Sequence, residues 1–234
     1  MAVKASEESI CRLSECEIFE KILPRYEQDL KELFTRKIVE KSQALFLQNE
    51  KPNKIHFLCS GKMKQSRTNY SGKNSTIRIF GPVNFLDIAS VLTEEKYSFS
   101  CYALERSCVH AIDKSDFLRI FESDANFSRV ILRQLCADTI RLKNELSNCR
   151  GLPGRQNLAS LLISLAEDFG NKKRAGIELD ILLSRAEMAE MCGMTTEALI
   201  RLLTGFKKEG LVEALDGKRL VIRDFQRLLE ISRS

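Results

Sequence analysis

Thr196, Glu197, Ile200 and Arg201 stand in the stretch SRAEMAEMCGMTTEALIRLLTGFKKE, residues 184–209, with the types and spacing of a base reader. A glutamate carboxylate accepts from the amino group of cytosine, and an arginine fork donates twice to guanine. Four residues apart on a helix, the two share a face. A wet surface ion pair has the same spacing, so the surrounding pattern has to decide between the two.

Ser184 followed by Glu187 is a capping box that starts a helix near Arg185. Met188, Ala189 and Cys192 put apolar atoms on one side of it, with Ala189 small enough for a second helix to approach. Gly193 tolerates the positive φ of a tight interhelical turn, and Thr195 can cap the helix that follows. On that helix Leu199, Leu202, Leu203 and Phe206 recur at the spacing of a buried face. Thr196, Glu197, Ile200, Arg201, Thr204 and Lys208 fall on the other side. The joint pattern predicts a DNA-binding helix-turn-helix whose second helix enters the major groove. Residues 211–215 and 218–222 flank Asp216-Gly217, a strong hairpin signal, and read as a wing. Lys218 and Arg219 at its tip are placed to meet phosphates, which set affinity and register but not sequence.

The elements that must position this motif can be read backward along the chain. Ile177, Leu179 and Ile181 alternate as a strand, and Asn171-Lys172-Lys173-Arg174 reads as a solvated basic loop. Leu158, Leu161, Leu162, Leu165 and Phe169 make an amphipathic helix ending at Gly170. Gly151-Leu152-Pro153-Gly154 is a helix break and a natural hinge. Before it, Leu132, Leu135, Thr139, Leu142, Leu146 and Cys149 recur in steps of three and four, a narrow seam that wants a like partner, hence a homodimer. Phe127, Val130, Ile131 and Ile140 are expected to pack the same helix on its own preceding domain. That domain consists of short runs rich in β-branched and aromatic residues, such as residues 55–58 and 76–80, separated by turn residues, which predicts an antiparallel sandwich or barrel. Residues 7–41, including Leu33 and Phe34, read as short helices broken at Pro24. Three segments follow: a sensor domain over 1–122, a dimerisation helix over 123–150 and a winged helix-turn-helix domain over 151–234.

Composition narrows the class. The 234 residues are 44% hydrophobic and 29% charged with a formal net charge of +5, a folded chain compatible with a polyanionic partner. From Arg150 onward there are 14 basic and 12 acidic residues, so the motif, not the charge, carries the DNA reading. No apolar run approaches a membrane span and the N-terminus lacks the apolar core of a signal peptide, which predicts a cytoplasmic protein with no membrane partner. Eight cysteines contain no CxxC pair and there are only two histidines, His56 and His110, so no zinc framework is visible. Reduced, mostly buried thiols are expected, with a redox or metal role for a subset left open. A cupin-like metal enzyme would need convergent histidines and a carboxylate, which two isolated histidines do not supply, and no catalytic residue is assigned.

The order of barrel, long helix, hinge and winged helix-turn-helix resembles the Crp/Fnr family of bacterial transcription regulators. The resemblance is carried by LSRAEMAEMCGMTTEALIRLLTGFKKEGLVEALDGKRLVI and by the barrel segments ALFLQNEKPNKIHFLCSGKMK and IRIFGPVNFLDIASVL. It implies an α+β chain: an N-terminal cyclic-nucleotide-binding-like jelly-roll barrel, a dimerisation helix and a C-terminal winged helix-turn-helix. It places Glu197 and Arg201 at base-reading positions, with Thr196 where many relatives carry another contact residue, and Ser184, Arg185, Thr195 and Lys218 at phosphates. It also implies a homodimer on a palindromic operator, with RNA polymerase as a partner.

In relatives that bind cyclic AMP a Gly-Glu pair holds the ribose and an Arg-Ser pair the cyclic phosphate. Here Asp87-Ile88 and Tyr97-Ser98 stand at the matching places, so cyclic AMP loses its arginine and meets a carboxylate. An effector pocket for another small molecule is expected at those four residues. Oxygen-sensing relatives hold an iron-sulfur cluster on four cysteines, three of them near the N-terminus; Cys11 and Cys16 alone do not reproduce that set. Haem-binding relatives sense gases, and His56 or His110 could ligate haem, but both sit in strand-like runs where a structural histidine is the commoner reading. The resemblance thus leaves the effector, small molecule or gas, unidentified, with a haem- or thiol-based sensor as the alternative.

Overall fold

The computed structural model describes residues 33–70, 72, 74–93, 95–151, 153–215 and 219–233, with side chains omitted at 148–151. The helices expected before residue 33, and Cys11 and Cys16 with them, lie outside the described residues. The chain divides into two compact units, and the division falls within the long helix, between Asp138 and Thr139, with the short segment Ser75–Ile77 grouped with the second unit.

The first unit is built on β1 (Phe34–Val39), β2 (Ala44–Phe46), β3 (Lys54–Ser60), β4 (Met63–Thr68), β5 (Asn74–Phe80), β6 (Asn84–Leu86), β7 (Ser100–Ala103) and β8 (Ser107–Asp113). They form two four-stranded sheets, β1-β8-β3-β6 and β2-β7-β4-β5, open sheets and not one closed barrel. Alternation on β3 shows how they stack. Leu58 joins a core with Met63, Phe80, Cys101 and Val109 drawn from both sheets. Ile55, Phe57 and Cys59, on the opposite face, meet helices α1 (Ile88–Leu92), α2 (Lys114–Ser123) and α3 (Ala125–Gly151) through Ile88, Phe117, Ile120, Phe127 and Ile131. Phe34, expected at the end of a helical segment, instead opens β1 opposite Ile112 of β8. Its apolar spacing was ambiguous, and six cross-strand partners from Phe34 to Val39 decided for the strand.

Helix α3 starts where the Asp124 carboxylate accepts from the backbone N–H groups of Asn126 and Phe127 at 2.8 and 3.0 Å. Phe127 lies edge-on to Phe85 and Phe117, with ring centroids 6.1 and 5.5 Å away. The Gln134 amide donates to the Phe85 carbonyl at 2.8 Å, which occupies backbone on β6 at the sheet edge. Arg78 of β5 lies over the Phe80 ring and donates to Asp138 at 2.6 Å. Leu132, Leu142 and Leu146 stay 53, 48 and 50% exposed, and Leu135 is half-buried against the helix-side core of the first unit. Ile140 does not pack on the preceding domain as expected; it is 61% exposed. At 100° per residue the nine-residue step from buried Ile131 turns Ile140 half-way round the helix.

The second unit contains α4 (Gly154–Phe169), β9 (Gly170–Lys173), β10 (Gly176–Leu179), α5 (Arg185–Met191), α6 (Thr196–Lys208), β11 (Val212–Leu215), β12 (Arg219–Ile222) and α7 (Phe225–Arg233). Its strands form one sheet ordered β11-β12-β10-β9. The expected basic loop is therefore an edge strand, β9, paired from Gly170↔Leu179 to Lys173↔Gly176. Gly170 permits this direct passage from helix to strand, because a Cβ there would meet the Ala166 carbonyl oxygen at 2.1 Å. Helix α7, not anticipated from sequence, starts at Asp224, whose carboxylate accepts from the Arg227 N–H at 2.9 Å, and buries Leu228 and Ile231. Helix α4 packs on both α7 and α6. Among the described residues no helix is long and apolar enough to cross a membrane.

Candidate nucleic-acid interface

The helix-turn-helix has the local chemistry its sequence requires. The Ser184 hydroxyl accepts from the Glu187 N–H at 3.1 Å, and the Glu187 carboxylate accepts from the Ser184 N–H at 2.9 Å, which completes the capping box. Gly193 has φ +63° and donates to the Glu190 carbonyl at 3.1 Å. The Thr195 hydroxyl accepts from the Ala198 N–H at 3.2 Å and so caps α6. Met188, Ala189 and Cys192 are buried beneath the turn.

Helix α6 divides as the spacing predicts. Leu199, Leu203 and Phe206 are buried, Leu202 is half-buried, and Glu197, Ile200, Arg201, Thr204 and Lys208 are exposed, with Thr196 half-exposed at the first turn. Hydrogen bonds from its own backbone N–H and from the Thr195 hydroxyl hold the Glu197 carboxyl below the usual carboxylate range, so it is an acceptor at neutral pH. Among the described residues no ion pair joins Glu197 to Arg201, although i,i+4 pairing is realised elsewhere, between Arg141 and Glu145. The surface-pair reading of the two is therefore not the arrangement adopted, and the guanidinium of Arg201 stays available to a ligand.

Two residues that sequence reasoning missed hold α6 and its turn. Asn157 on α4 is buried and its amide donates to the Cys192 carbonyl at 2.7 Å. Arg155, also on α4, lies 4.8 Å from the Phe206 ring centroid and donates to both Glu209 carboxylate oxygens, at 2.8 and 2.5 Å. An asparagine beside Leu158 on an otherwise apolar face was a signal; nothing local pointed to Arg155. Asn157→Ala is expected to lower the stability of this unit by about 1–3 kcal/mol through the lost buried bond. Denaturant titration followed by the helical signal checks it, and an unchanged midpoint would mean that the bond contributes nothing.

The phosphate-facing residues are placed unevenly. Ser184 and Thr195 stand exposed at the starts of α5 and α6. Arg185 is half-buried, which lowers its pKa, and one guanidinium nitrogen lies 3.5 Å from the Met188 sulfur. Lys218 lies outside the described residues. Arg219, expected to be free for phosphate, donates to Glu178 of β10 at 3.1 Å. Val221 pairs with Glu178, and residues two apart on a strand share a face, so the wing arginine reaches that carboxylate diagonally.

In the first unit the four expected pocket residues do not converge. Asp87 has φ +53°, and its carboxylate accepts from the Ser90 hydroxyl at 2.9 Å while burial pushes its pKa up. Tyr97 is buried, stacks on Phe46 with centroids 4.0 Å apart and donates to the Lys54 carbonyl at 3.2 Å. Burial raises its pKa, and the Asp87 charge raises it further. Ile88 faces the helix-side core instead, and Ser98 is exposed. Asp87 is the left-handed residue before α1 and Ile88 the first residue of that helix, so this dipeptide does not present two side chains to one pocket. His56 is pushed down to about 4, chiefly by burial and then by Lys37 and Lys54. Among the described residues Cys59, Cys101, Cys108 and Cys192 are buried and in no disulfide, and Cys136 is exposed. Among the described residues no three His, Cys, Asp or Glu side chains are grouped to hold a metal ion.

Comparison with known proteins places this architecture. Residues 36–124 match the model of the cyclic nucleotide-binding domain, and residues 156–231 that of the Crp-like helix-turn-helix domain. The CRP-like cAMP-activated global transcriptional regulator of Mycobacterium tuberculosis is 26% identical over 196 residues, 82% of this chain and 86% of that protein. The anaerobic regulatory protein of Bacillus subtilis is 22% identical, over 85% of this chain and 84% of its own. Among solved structures, FixK2 from Bradyrhizobium japonicum shares the fold with a TM-score of 0.77 at 13% identity, covering 86% of this chain and 98% of that one. A CooA mutant from Carboxydothermus hydrogenoformans gives 0.75 at 24% identity, covering 90% and 95%. Both domain types, in this order and joined by the long helix, make the chain a member of the Crp/Fnr family of transcription regulators.

Proposed function

We propose that the protein is a homodimeric, sequence-specific regulator that reads a palindromic operator with α6 and is controlled by a signal other than cyclic AMP at its sensor unit. The observation that carries the reading is the doubly supported α6, capped by Thr195 and held by Arg155, with Glu197, Ile200 and Arg201 exposed on one face and, among the described residues, Arg201 joined to no carboxylate. Glu197 and Arg201 supply the acceptor and the fork, Thr196 a short polar contact, and Ile200 an apolar surface for a thymine methyl. Ser184, Arg185, Thr195 and Lys218 fix register on phosphates, and Arg219 joins them only if it leaves Glu178. RNA polymerase and a cytoplasmic location follow from the family reading.

The exposed stripe of Leu132, Leu142 and Leu146, with Thr139 and half-buried Leu135 alongside, is the surface for the second copy. Dimerisation and palindromic recognition are then one property. The signal acts by favouring one arrangement of two, which requires different affinity for each. Asp87 and Tyr97 are the residues we assign to meet it; the half-buried Asp87 carboxylate disfavours a cyclic phosphate.

The double variant Leu142→Lys/Leu146→Lys tests the dimer. It is expected to sediment as a folded monomer and to bind a two-half-site duplex about a hundredfold more weakly than wild type, the loss of a linked second contact. Millimolar cyclic AMP is expected to leave wild-type DNA affinity unchanged. A variant that remains dimeric, or an affinity that rises with cyclic AMP, contradicts the corresponding part of the proposal.

A further inference from the structure

Arg141 makes more directed contacts than its position on the helix needs. From α3 its Nε donates to Glu145 at 3.0 Å, while one Nη donates across to α4, to the Ser164 hydroxyl at 3.1 Å and the Asp168 carboxylate at 2.6 Å. Its pKa is shifted upward: burial opposes the charge, and the Asp168 and Glu145 carboxylates outweigh it. Ser164 and Asp168 are one turn apart on α4, so the fork meets a two-point receptor on a single face.

The faces on either side of this contact give it direction. Arg141 is nine residues from Leu132, half a turn round α3, and so lies on the side turned away from the exposed leucine stripe. Ser164 and Asp168 lie on the side of α4 turned away from Leu158, Leu162 and Phe169, which are buried in the core of the DNA-binding unit. Arg155 lies with that core face and bonds the end of α6, while Asn157, eleven residues before Asp168 and so on the same side of α4, bonds the turn before α6. One chain of contacts thus runs from the back of the stripe through Arg141 to α4, and from α4 to α6. The sequence between α3 and α4 contains Pro153, which precludes one continuous helix through this point.

We infer that Arg141, through Asp168 and Ser164, is a positioning residue for operator recognition: it fixes the angle between α3 and α4 and thereby the spacing of half-sites that a dimer accepts. The inference rests on the dimeric reading above. Two recognition helices must stand about one DNA turn, roughly 34 Å, apart, so a small change of angle at α4 moves α6 out of register with the second half-site. Glu145, on the same helix as Arg141, has no part in the angle.

The test uses full-length protein and duplexes carrying either one half-site or two, at the spacing that the wild type selects from a random pool and at spacings one or two base pairs away. Arg141→Met and Asp168→Asn are each expected to bind the single half-site within about twofold of wild type, to bind the selected two-half-site duplex about tenfold more weakly, and to lose most of the spacing preference. Glu145→Gln is expected to behave as wild type. Equal losses on one and two half-sites would mean a plain structural role and overturn the inference, as would variants that keep the wild-type spacing preference. A wild type that binds two half-sites no better than one overturns the dimeric reading itself, and the inference with it.

Discussion

Phe206→Ala is expected to destabilise the DNA-binding unit by about 3–5 kcal/mol, the usual cost of deleting a fully buried aromatic ring and leaving a cavity. The ring has no exposed surface, and the Arg155 guanidinium lies over it while bonding Glu209 at the end of α6. The substitution therefore removes core volume and the platform on which the arginine rests. Because the chain has two compact units, the loss should appear in the transition of one unit and not as a uniform shift. Thermal and denaturant unfolding followed by helical signal, with DNA present and absent, checks this. A loss below about 1 kcal/mol would mean that the helix-turn-helix is not held by this core.

Arg201→Ala should do the reverse: leave stability nearly untouched and remove recognition. Its side chain is exposed and, among the described residues, joined to no carboxylate, so truncation leaves no buried group without a partner. On DNA it is expected to cost about 1–3 kcal/mol, about 5- to 150-fold in affinity, and to relax preference at the base pair it reads. Glu197→Ala should alter preference at a different position, since its carboxylate is an ionised acceptor at neutral pH. Competition binding with single-base-pair operator variants separates the two. If Arg201→Ala kept both affinity and preference, the exposed face of α6 would not be the reading face.

Both expectations rest on a motif that was legible before any coordinates, and the reason is that its determinants are local. The Ser184 and Glu187 box, the positive φ at Gly193, the Thr195 cap and the apolar spacing of Leu199, Leu203 and Phe206 each need only neighbours within a turn or two. The strand runs of the first unit were legible for the same reason, although their closure was not: alternation gives the faces of a strand but not whether the outer strands meet, and two open sheets resulted.

What sequence did not reveal depends on partners distant in the chain. Phe34 follows a helical-looking stretch and became a strand because β8 lies beside it. Lys172 and Lys173 are exposed on an edge strand with no alternation to betray it. Only Leu228 and Ile231 are buried on α7, too few to register as a periodic face. Ile88 and Tyr97 fall in different cores, which motif matching along the chain could not distinguish. Asn157, Arg155 and Arg141 act through partners 35, 54 and 27 residues away, and no local rule joins them.

The central claim, that this chain reads a two-fold symmetric DNA sequence through α6, is tested most directly by selecting duplexes from a random pool with purified full-length protein and sequencing the survivors. The expected result is an inverted repeat with half-site centres about one helical turn apart, bound by one dimer, with the half-site consensus changed by Arg201→Ala. A pool that stays random, or a single unpaired site enriched equally by wild type and variant, would contradict it.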